Sequence, residues 1–107
     1  MGLALEADSS VPMNIENVIL LQAVAEKLWA KHRVEPEEVA QVFEEAPAFR
    51  FVEKGQREGE DLYTALGRTE AGRYLIVFFI HKLSNEALVV TAREMTDNEK
   101  RWYARKA

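Results

Sequence analysis

The chain has 107 residues, enough for one domain and few for two, and its hydrophobic content of 48% is typical of a globular protein. It has no cysteine, no apolar run longer than residues 74–80 and no secretory signal pattern at its start, so we exclude disulfides and expect a cytoplasmic protein. The net charge of −4 divides into −7 for residues 1–61 and +3 for residues 62–107, so an anionic partner would meet the second half, unless the imbalance is ordinary surface variation.

The first segment, residues 1–13, shows no hydrophobic period and contains two serines and a proline. We expect it to be a flexible leader, and the single domain then spans residues 14–107. Residues 15–21 are mostly apolar and fit two alternatives. They form either a short first strand or the beginning of the helix that follows.

Two helices are predicted next. Residues 22–31 have a helical pattern, with charged side chains on the outer side. The second helix begins near Pro36, because proline suits a first helical turn, and ends before Pro47, which cannot continue the hydrogen-bond ladder. Its apolar residues are spaced i, i+3 and i+4 and share one face: Val39, Val42 and Phe43.

After the second helix the apolar residues alternate, which predicts strands. The first contains Phe49 and Phe51 with Arg50 between them, and the others are predicted at residues 62–68, 74–81 and 87–92. Because short turns join the last three, we expect antiparallel pairing. The strand at 74–81 is apolar almost throughout, which indicates a central strand covered on both faces.

The closing helix has the clearest start signal. Residues 96–99 read Thr-Asp-Asn-Glu, a capping box in which the Thr96 hydroxyl accepts from the Glu99 amide and the Glu99 side chain reaches back. We therefore predict an α+β fold with two N-terminal helices, an antiparallel sheet of about four strands and a C-terminal helix. We expect the helices to pack on one face of the sheet.

Five segments, in this order and spacing, resemble the BrnT family, the ribonuclease toxin half of bacterial toxin–antitoxin pairs. Together they cover roughly residues 17–104. The segments are KH with EEVAQVF within residues 31–43, GEDLYTALGRT at 59–69, LIVFFI at 75–80, LVVTAR at 88–93, and the Glu, Arg and Tyr of residues 99–103.

The resemblance implies a RelE-like ribonuclease fold and mRNA cleavage that halts translation. It also implies an antitoxin partner, usually a ribbon-helix-helix DNA-binding protein, which neutralises the toxin and represses the operon with it. The toxin alone is a candidate homodimer. The sequence departs from the family pattern at Leu62, where an arginine is common.

Metal-free RNA cleavage sets the chemistry that the site residues would supply. The substrate's 2′-OH attacks the phosphorus, so the site needs a base, an acid and cations for the developing charge. The catalytic candidates are two imidazoles and a planar guanidinium: His32, His81 and Arg93. The RNA-binding candidates are Lys31, Lys82, Arg101 and Tyr103. No cofactor is expected, and two isolated histidines do not predict a metal site.

Each catalytic candidate also has a purely structural interpretation. A histidine just after a helix, such as His32, commonly caps or packs, and His81 suits a surface position at a strand end. Arg93 suits an ion pair with Glu94 or Glu99, which is at least as good an explanation as phosphate binding.

A function of another class is also open. The chain suits a non-catalytic protein-interaction module of the same fold, with no ribonuclease activity. Such a module would bind its partner through Trp102, Tyr103 and the sheet edge. The net acidity and Leu62 are the observations that favour it.

Overall fold

The computed structural model describes residues 10–106 and shows three helices and one sheet, which confirms the α+β class. In chain order the elements are β1 (Asn17–Ile19), α1 (Gln22–His32), α2 (Pro36–Glu44), β2 (Ala48–Glu53), β3 (Asp61–Arg68), β4 (Tyr74–His81), β5 (Glu86–Glu94) and α3 (Asp97–Lys106). None of the helices in the described part of the chain has the length and apolar character needed to span a membrane.

The sheet is mixed, so the prediction of about four antiparallel strands was incomplete. Its order within the described residues is β1-β5-β4-β3-β2, with β1 parallel to β5 and the other neighbours antiparallel. The additional strand, β1, lies within residues 15–21, for which the sequence fitted either a short strand or the beginning of a helix. Asn17 donates from its side-chain amide to the Glu86 carboxylate at 3.2 Å, and Ile19 lies opposite Leu88. This pairing joins distant parts of the chain, which no local pattern reveals.

Helices cover both faces of the sheet, so the prediction that they share one face was wrong. Alternate residues of β4 point to opposite faces. Leu75, Val77 and Phe79 pack with α1 and α2, on what we call the α1/α2 face, and Ile76 and Phe78 pack with α3, on the α3 face. The physical reason is that the continuous apolar run of β4 needs cover on each side.

The main core lies on the α1/α2 face. Leu28 of α1 and Val39 and Val42 of α2 are fully buried over Phe79. Burying each such side chain contributes about 1.5–3 kcal/mol. Gly67 of β3 lets α2 approach closely, because a Cβ atom there would lie 3.1 Å from Val42 Cγ1. The predicted apolar face of α2 is therefore confirmed.

The smaller core on the α3 face is built around Trp102, which packs with Leu66 and Ile76. The predicted capping box starts α3: the Glu99 amide donates to Thr96 Oγ1 at 3.2 Å, and the Thr96 amide donates to Glu99 Oε1 at 2.8 Å. Because these bonds satisfy amides that have no partner within the helix, they fix where α3 begins.

The segment before β1 contacts the core of the α1/α2 face. The Val11 amide donates to the Phe49 carbonyl at 2.8 Å on β2, an edge strand, and the Met13 side chain packs against the buried cluster. The predicted leader covered residues 1–13. Its first part, residues 1–9, lies outside the described residues, and its last part contacts the fold from Val11 onward.

Both predicted turns between the long strands are present. Gly72, after β3, has a φ of 92°, and its amide donates to the Thr69 carbonyl at 2.9 Å. Asn85, before β5, has a φ of 63°, a left-handed conformation that asparagine tolerates better than most residues. These turns return the chain alongside itself, so β3, β4 and β5 pair as successive antiparallel neighbours.

Candidate nucleic-acid site

Arg93 lies near the end of β5, on the α3 face, and forms a bidentate ion pair. Its Nη1 and Nη2 atoms donate to the two carboxylate oxygens of Glu99 at 2.7 and 2.9 Å. Nη1 also donates to the Glu94 carbonyl at 3.1 Å, and the guanidinium carbon lies 5.5 Å from the Phe78 ring centroid. Of the two ion-pair partners expected from the sequence, Glu94 and Glu99, Arg93 therefore pairs with Glu99.

A β-bulge decides which face Arg93 occupies. On β5, Ala87 and Val89 face α1 and α2, and simple alternation would place Arg93 on the same face. The register shifts at Val90, because Phe79 lies opposite Val89 while the preceding residue of β4 lies opposite Thr91. One extra residue reverses the alternation, so Arg93 points to the α3 face instead.

The ion pair shifts the pKa of both partners. Hydrogen bonds from Arg93 hold the pKa of Glu99 below the usual glutamate range, although partial burial acts in the other direction. The hydrogen bonds to Glu99 raise the pKa of Arg93, against a smaller opposing effect of burial. Both groups are therefore charged at neutral pH, and Glu99 is unsuited to donate a proton to a leaving oxygen.

A groove lies beside this ion pair on the α3 face, and we call it the Arg50 groove. It is lined by Arg50, Phe51, Val52, Thr64, Ile76, Phe78 and Glu99. The Arg50 guanidinium carbon lies 5.1 Å from the Trp102 ring centroid, and among residues 10–106 no carboxylate forms an ion pair with Arg50. The groove therefore presents an available cation next to apolar and aromatic side chains, which suits a nucleic-acid backbone.

His81 ends β4 on the other face of the sheet. Its ring meets the Tyr63 ring edge-to-face at 5.7 Å, and its Nε2 atom lies 3.3 Å from Asn85 Oδ1. Tyr63 belongs to the core of the α1/α2 face, so the sheet separates His81 from Arg93. The structure does not bring these two catalytic candidates into one site.

His32 is the last residue of α1, and its backbone is held by Arg73. The His32 carbonyl accepts from Arg73 Nη2 at 2.9 Å, while the same guanidinium pairs with Glu38 and Glu94, each at 3.0 Å. Arg73 directly precedes β4 and His81 ends it, and eight residues of strand span roughly 26 Å. His32 and His81 therefore lie at opposite ends of the sheet.

The predicted RNA-binding residues are also dispersed. Lys31 is exposed at the end of α1, and Lys82 follows β4 near the other end of the sheet. Arg101 and Tyr103 both belong to α3, the helix that carries Glu99. Arg101 is exposed, whereas Tyr103 is half-buried with its ring 6.1 Å from that of Tyr74. Two of the four thus share an element with the Arg93 ion pair.

The chemistry available in the Arg50 groove is stabilisation of negative charge. Two guanidinium groups lie at or beside it, and no imidazole lines it. Within residues 10–106, no three histidine, cysteine, aspartate or glutamate side chains form a group that could hold a metal ion. Glu99 is the ionised side chain at the groove that can accept a proton, although its lowered pKa makes it a weak base.

Residues 22–99 match the family described as the ribonuclease toxin, BrnT, of type II toxin–antitoxin systems. The chain belongs to the BrnT family. This confirms the resemblance found in the sequence, and membership implies an antitoxin partner and an RNA target. The matched residues of this chain run from the start of α1 into the first turn of α3, so they include Arg50, Arg93 and Glu99. No curated protein shows a significant match to the chain.

Leu62, where the sequence departs from the pattern that the resemblance implies, lies on the α3 face. It is half-buried opposite Ile80 on β4 and is two residues along β3 from Thr64 of the groove. An arginine at this position would add a guanidinium to the same face near the groove. In this BrnT-family chain, Arg50 and Arg93 are therefore the two guanidinium groups at the groove.

Sequence reasoning did not select Arg50 as a site residue. One signal was present, because Arg50 alternates with two phenylalanines and so had to point away from their face. Phe49 is buried in the α1/α2 core, as that signal requires. The sequence did not show that α3 borders the opposite face and brings Trp102 beneath the guanidinium.

Proposed function

We propose that this chain is a metal-independent endoribonuclease that cleaves mRNA in the cytoplasm and so inhibits translation, as the toxin of a toxin–antitoxin pair. Membership of the BrnT family supports the ribonuclease toxin class. The single observation that carries the proposal for this chain is the Arg50 groove, where two arginines and aromatic rings share one sheet face. Guanidinium groups bind phosphate through paired donors, and aromatic rings stack with bases.

The proposed reaction uses the RNA's own 2′-OH as the nucleophile. Its oxygen bonds to the adjacent phosphorus, the bond to the 5′-oxygen breaks, and a 2′,3′-cyclic phosphate and a 5′-OH end result. A base takes the 2′-OH proton and an acid supplies one to the leaving oxygen. In this proposal Arg50 and Arg93 stabilise the charge that develops on the phosphorane oxygens.

The proton-transfer roles of His32 and His81 are proposed separately from the charge stabilisation by the two arginines. Because the two rings lie apart from each other and His81 lies across the sheet from Arg93, one RNA linkage does not contact all three. We therefore test each histidine by itself. Lys31, Lys82, Arg101 and Tyr103 are proposed as RNA contacts outside the groove, with Arg101 and Tyr103 extending the surface along α3.

A ribbon-helix-helix antitoxin is the proposed partner, and a homodimer is the proposed state of the toxin alone. The family implies an antitoxin, and the ribbon-helix-helix type is the more specific proposal. Light scattering after size exclusion of the purified chain, alone and with the product of a neighbouring gene, measures both. A monomer alone would contradict the homodimer, and failure to bind any ribbon-helix-helix neighbour would contradict the partner type.

The second candidate function is the non-catalytic interaction module, but its binding surface differs from the one expected from the sequence. Trp102 does not offer its side chain to a partner because it is 3% exposed, and Tyr103 is half-buried against the sheet. The edge strand β2 is better suited, since Phe51 and Val52 are 44% and 42% exposed. A partner strand would pair with β2 beyond Phe49, whose carbonyl already accepts from the Val11 amide.

The deciding experiment incubates the purified chain with a defined single-stranded RNA, with and without EDTA. We compare the wild type with Arg93→Ala and Arg50→Ala, and with Arg57→Ala as a matched control in the exposed loop between β2 and β3. Loss of one donor to a developing oxyanion lowers rates by about a hundredfold. We expect that loss for each groove variant, no change for the control, and full activity in EDTA.

Each outcome separates the candidates. Undiminished cleavage by a folded Arg50→Ala/Arg93→Ala double variant would reject the groove as the site. Loss of cleavage in EDTA would reject metal independence. No cleavage by the wild type would favour the interaction module. In parallel reactions, His32→Ala or His81→Ala would lower the rate only if that histidine takes part in the chemistry.

A further inference from the structure

The Glu99 carboxylate occupies a position surrounded by hydrogen-bond donors. Arg93 donates to it from Nη1 at 2.7 Å and from Nη2 at 2.9 Å, and the Thr96 amide donates to Oε1 at 2.8 Å. A carboxylate and a phosphate offer a guanidinium the same pair of acceptor oxygens at similar spacing. The donors that hold Glu99 are therefore suited to hold a phosphate instead.

Glu99 also occupies the paired donors of Arg93. Glu99 lines the Arg50 groove, and its carboxylate holds the Arg93 guanidinium beside the groove. The two side chains are 18% and 34% exposed, respectively, so the pair is partly accessible to a ligand. A phosphate that approaches the Arg93 guanidinium therefore competes with the Glu99 carboxylate for the same donors.

We propose that the Arg93 guanidinium and the Thr96 amide form a binding site for a phosphate of the RNA backbone. The Glu99 carboxylate fills this site in the free chain, and RNA binds there by displacing it. The inference rests on the proposed function, because it names where the substrate's phosphate is held. The exchange replaces one anion by another on the same donors, so the free chain has a lowered affinity for RNA.

The displacement requires only a side-chain rotation. Trp102, three residues further along α3, is buried in the core and anchors the helix to the sheet. When Glu99 turns away, α3 keeps its position and loses one half of its capping box. The loss of one such capping interaction is small, so the phosphate contacts can offset it.

The test measures the affinity of a 2′-O-methyl RNA oligonucleotide, which lacks the nucleophile and is not cleaved, by fluorescence anisotropy. Glu99→Gln removes the charge while keeping a residue that serves in a capping box. We expect this variant to bind about tenfold more tightly than the wild type, the scale of one charge-assisted hydrogen bond. The gain should be absent when Arg93→Ala is added.

Glu94→Gln is the matched control. It removes the same charge from the residue next to Arg93. Arg93 donates to the backbone carbonyl of Glu94 and does not contact the Glu94 carboxylate, which pairs with Arg73. We expect less than about a twofold gain for this variant, because a carboxylate outside the site is screened by solvent. Thermal unfolding of each variant confirms that the compared proteins are folded.

Several results would overturn the phosphate site. They are an unchanged or weaker affinity for Glu99→Gln, a gain that persists without Arg93, an equal gain for Glu94→Gln, and no binding by any variant. The ribonuclease proposal is judged separately from cleavage of unmodified RNA. If Glu99→Gln shows the expected gain in affinity but the chain cleaves no RNA, the phosphate site is supported and the ribonuclease proposal is rejected. If the chain cleaves RNA but the gain is absent, the ribonuclease proposal is supported and the phosphate site is rejected.

Discussion

At the scale of single residues, Glu99 connects the start of a helix with the candidate site. Its amide and carboxylate complete the capping box with Thr96, and its carboxylate pairs with Arg93 and lines the Arg50 groove. The sequence predicted the first role from a local motif. The second and third roles require β5 and α3 to be placed against each other, so they belong to the tertiary structure.

The stability that Glu99 provides should depend on pH in a definite direction. Because Arg93 lowers the pKa of Glu99 in the folded chain, ionisation of this carboxylate favours folding. The contribution is complete above the pKa of an unfolded glutamate, about 4.3, and is lost as the pH falls through the lower pKa of the folded state.

We therefore expect Glu99→Gln to lower the free energy of unfolding by about 1 kcal/mol at pH 7, a small value because the pair is partly exposed and screened. The difference from the wild type should shrink as the pH falls below about 4. Urea unfolding of both proteins at pH 7 and at steps between pH 5 and pH 3 measures it. A difference that stays constant over this range would contradict the ion pair as its source.

At the scale of elements, the two helices that carry tryptophan are attached differently. Trp29 of α1 is 47% exposed, and the Arg33 guanidinium carbon lies 5.0 Å from its ring centroid. Trp102 of α3 is 3% exposed. The helix α1 instead buries Leu28, so each helix contacts the sheet through one fully buried side chain.

The two tryptophans give a matched pair of substitutions. Trp102→Ala should lower the free energy of unfolding by about 3–5 kcal/mol, because it leaves a large cavity between α3 and the sheet. Trp29→Ala should lower it by less than about 1 kcal/mol, since about half of this side chain is in solvent already. Chemical denaturation of both variants measures the difference. Equal losses would contradict the placement of α3 on the second face.

At the scale of the whole molecule, Arg73 ties four elements together. Its guanidinium binds the carbonyls of His32 and Arg33 at the end of α1, Glu38 in α2 and Glu94 in β5, while Arg73 itself leads into β4. Burial lowers the pKa of Arg73, but the hydrogen bonds to Glu94 and Glu38 outweigh this effect and the net pKa is raised. The group is thus a structural cation, held by acceptors from three other elements.

Replacing this residue should destabilise the whole fold. Arg73→Met removes the charge but keeps the apolar stem, and it leaves two helix-end carbonyls and two carboxylates without their donor. We expect a loss of about 2–3 kcal/mol. Arg57→Ala, in an exposed loop, should change stability by less than about 0.5 kcal/mol. Similar values for both in urea unfolding would show that the Arg73 contacts contribute little.

The sequence by itself determined the family, the α+β class, the helices, the turns and the capping box of α3. These features follow from interactions between residues a few positions apart, such as helical spacing and the preference of Gly72 for a positive φ. They also follow from the five ordered segments that resemble BrnT. Such signals are complete within short stretches of chain.

Only the tertiary structure decided how the candidate site residues are distributed. The pairing of β1 with β5 and the cover of α3 on the second face depend on contacts between distant segments. The extra residue at Val90 turns Arg93 away from the face of His81 and toward Arg50, Glu99 and the groove. A bulge is a mismatch between two paired strands, so its effect on direction exists only once both strands are in place.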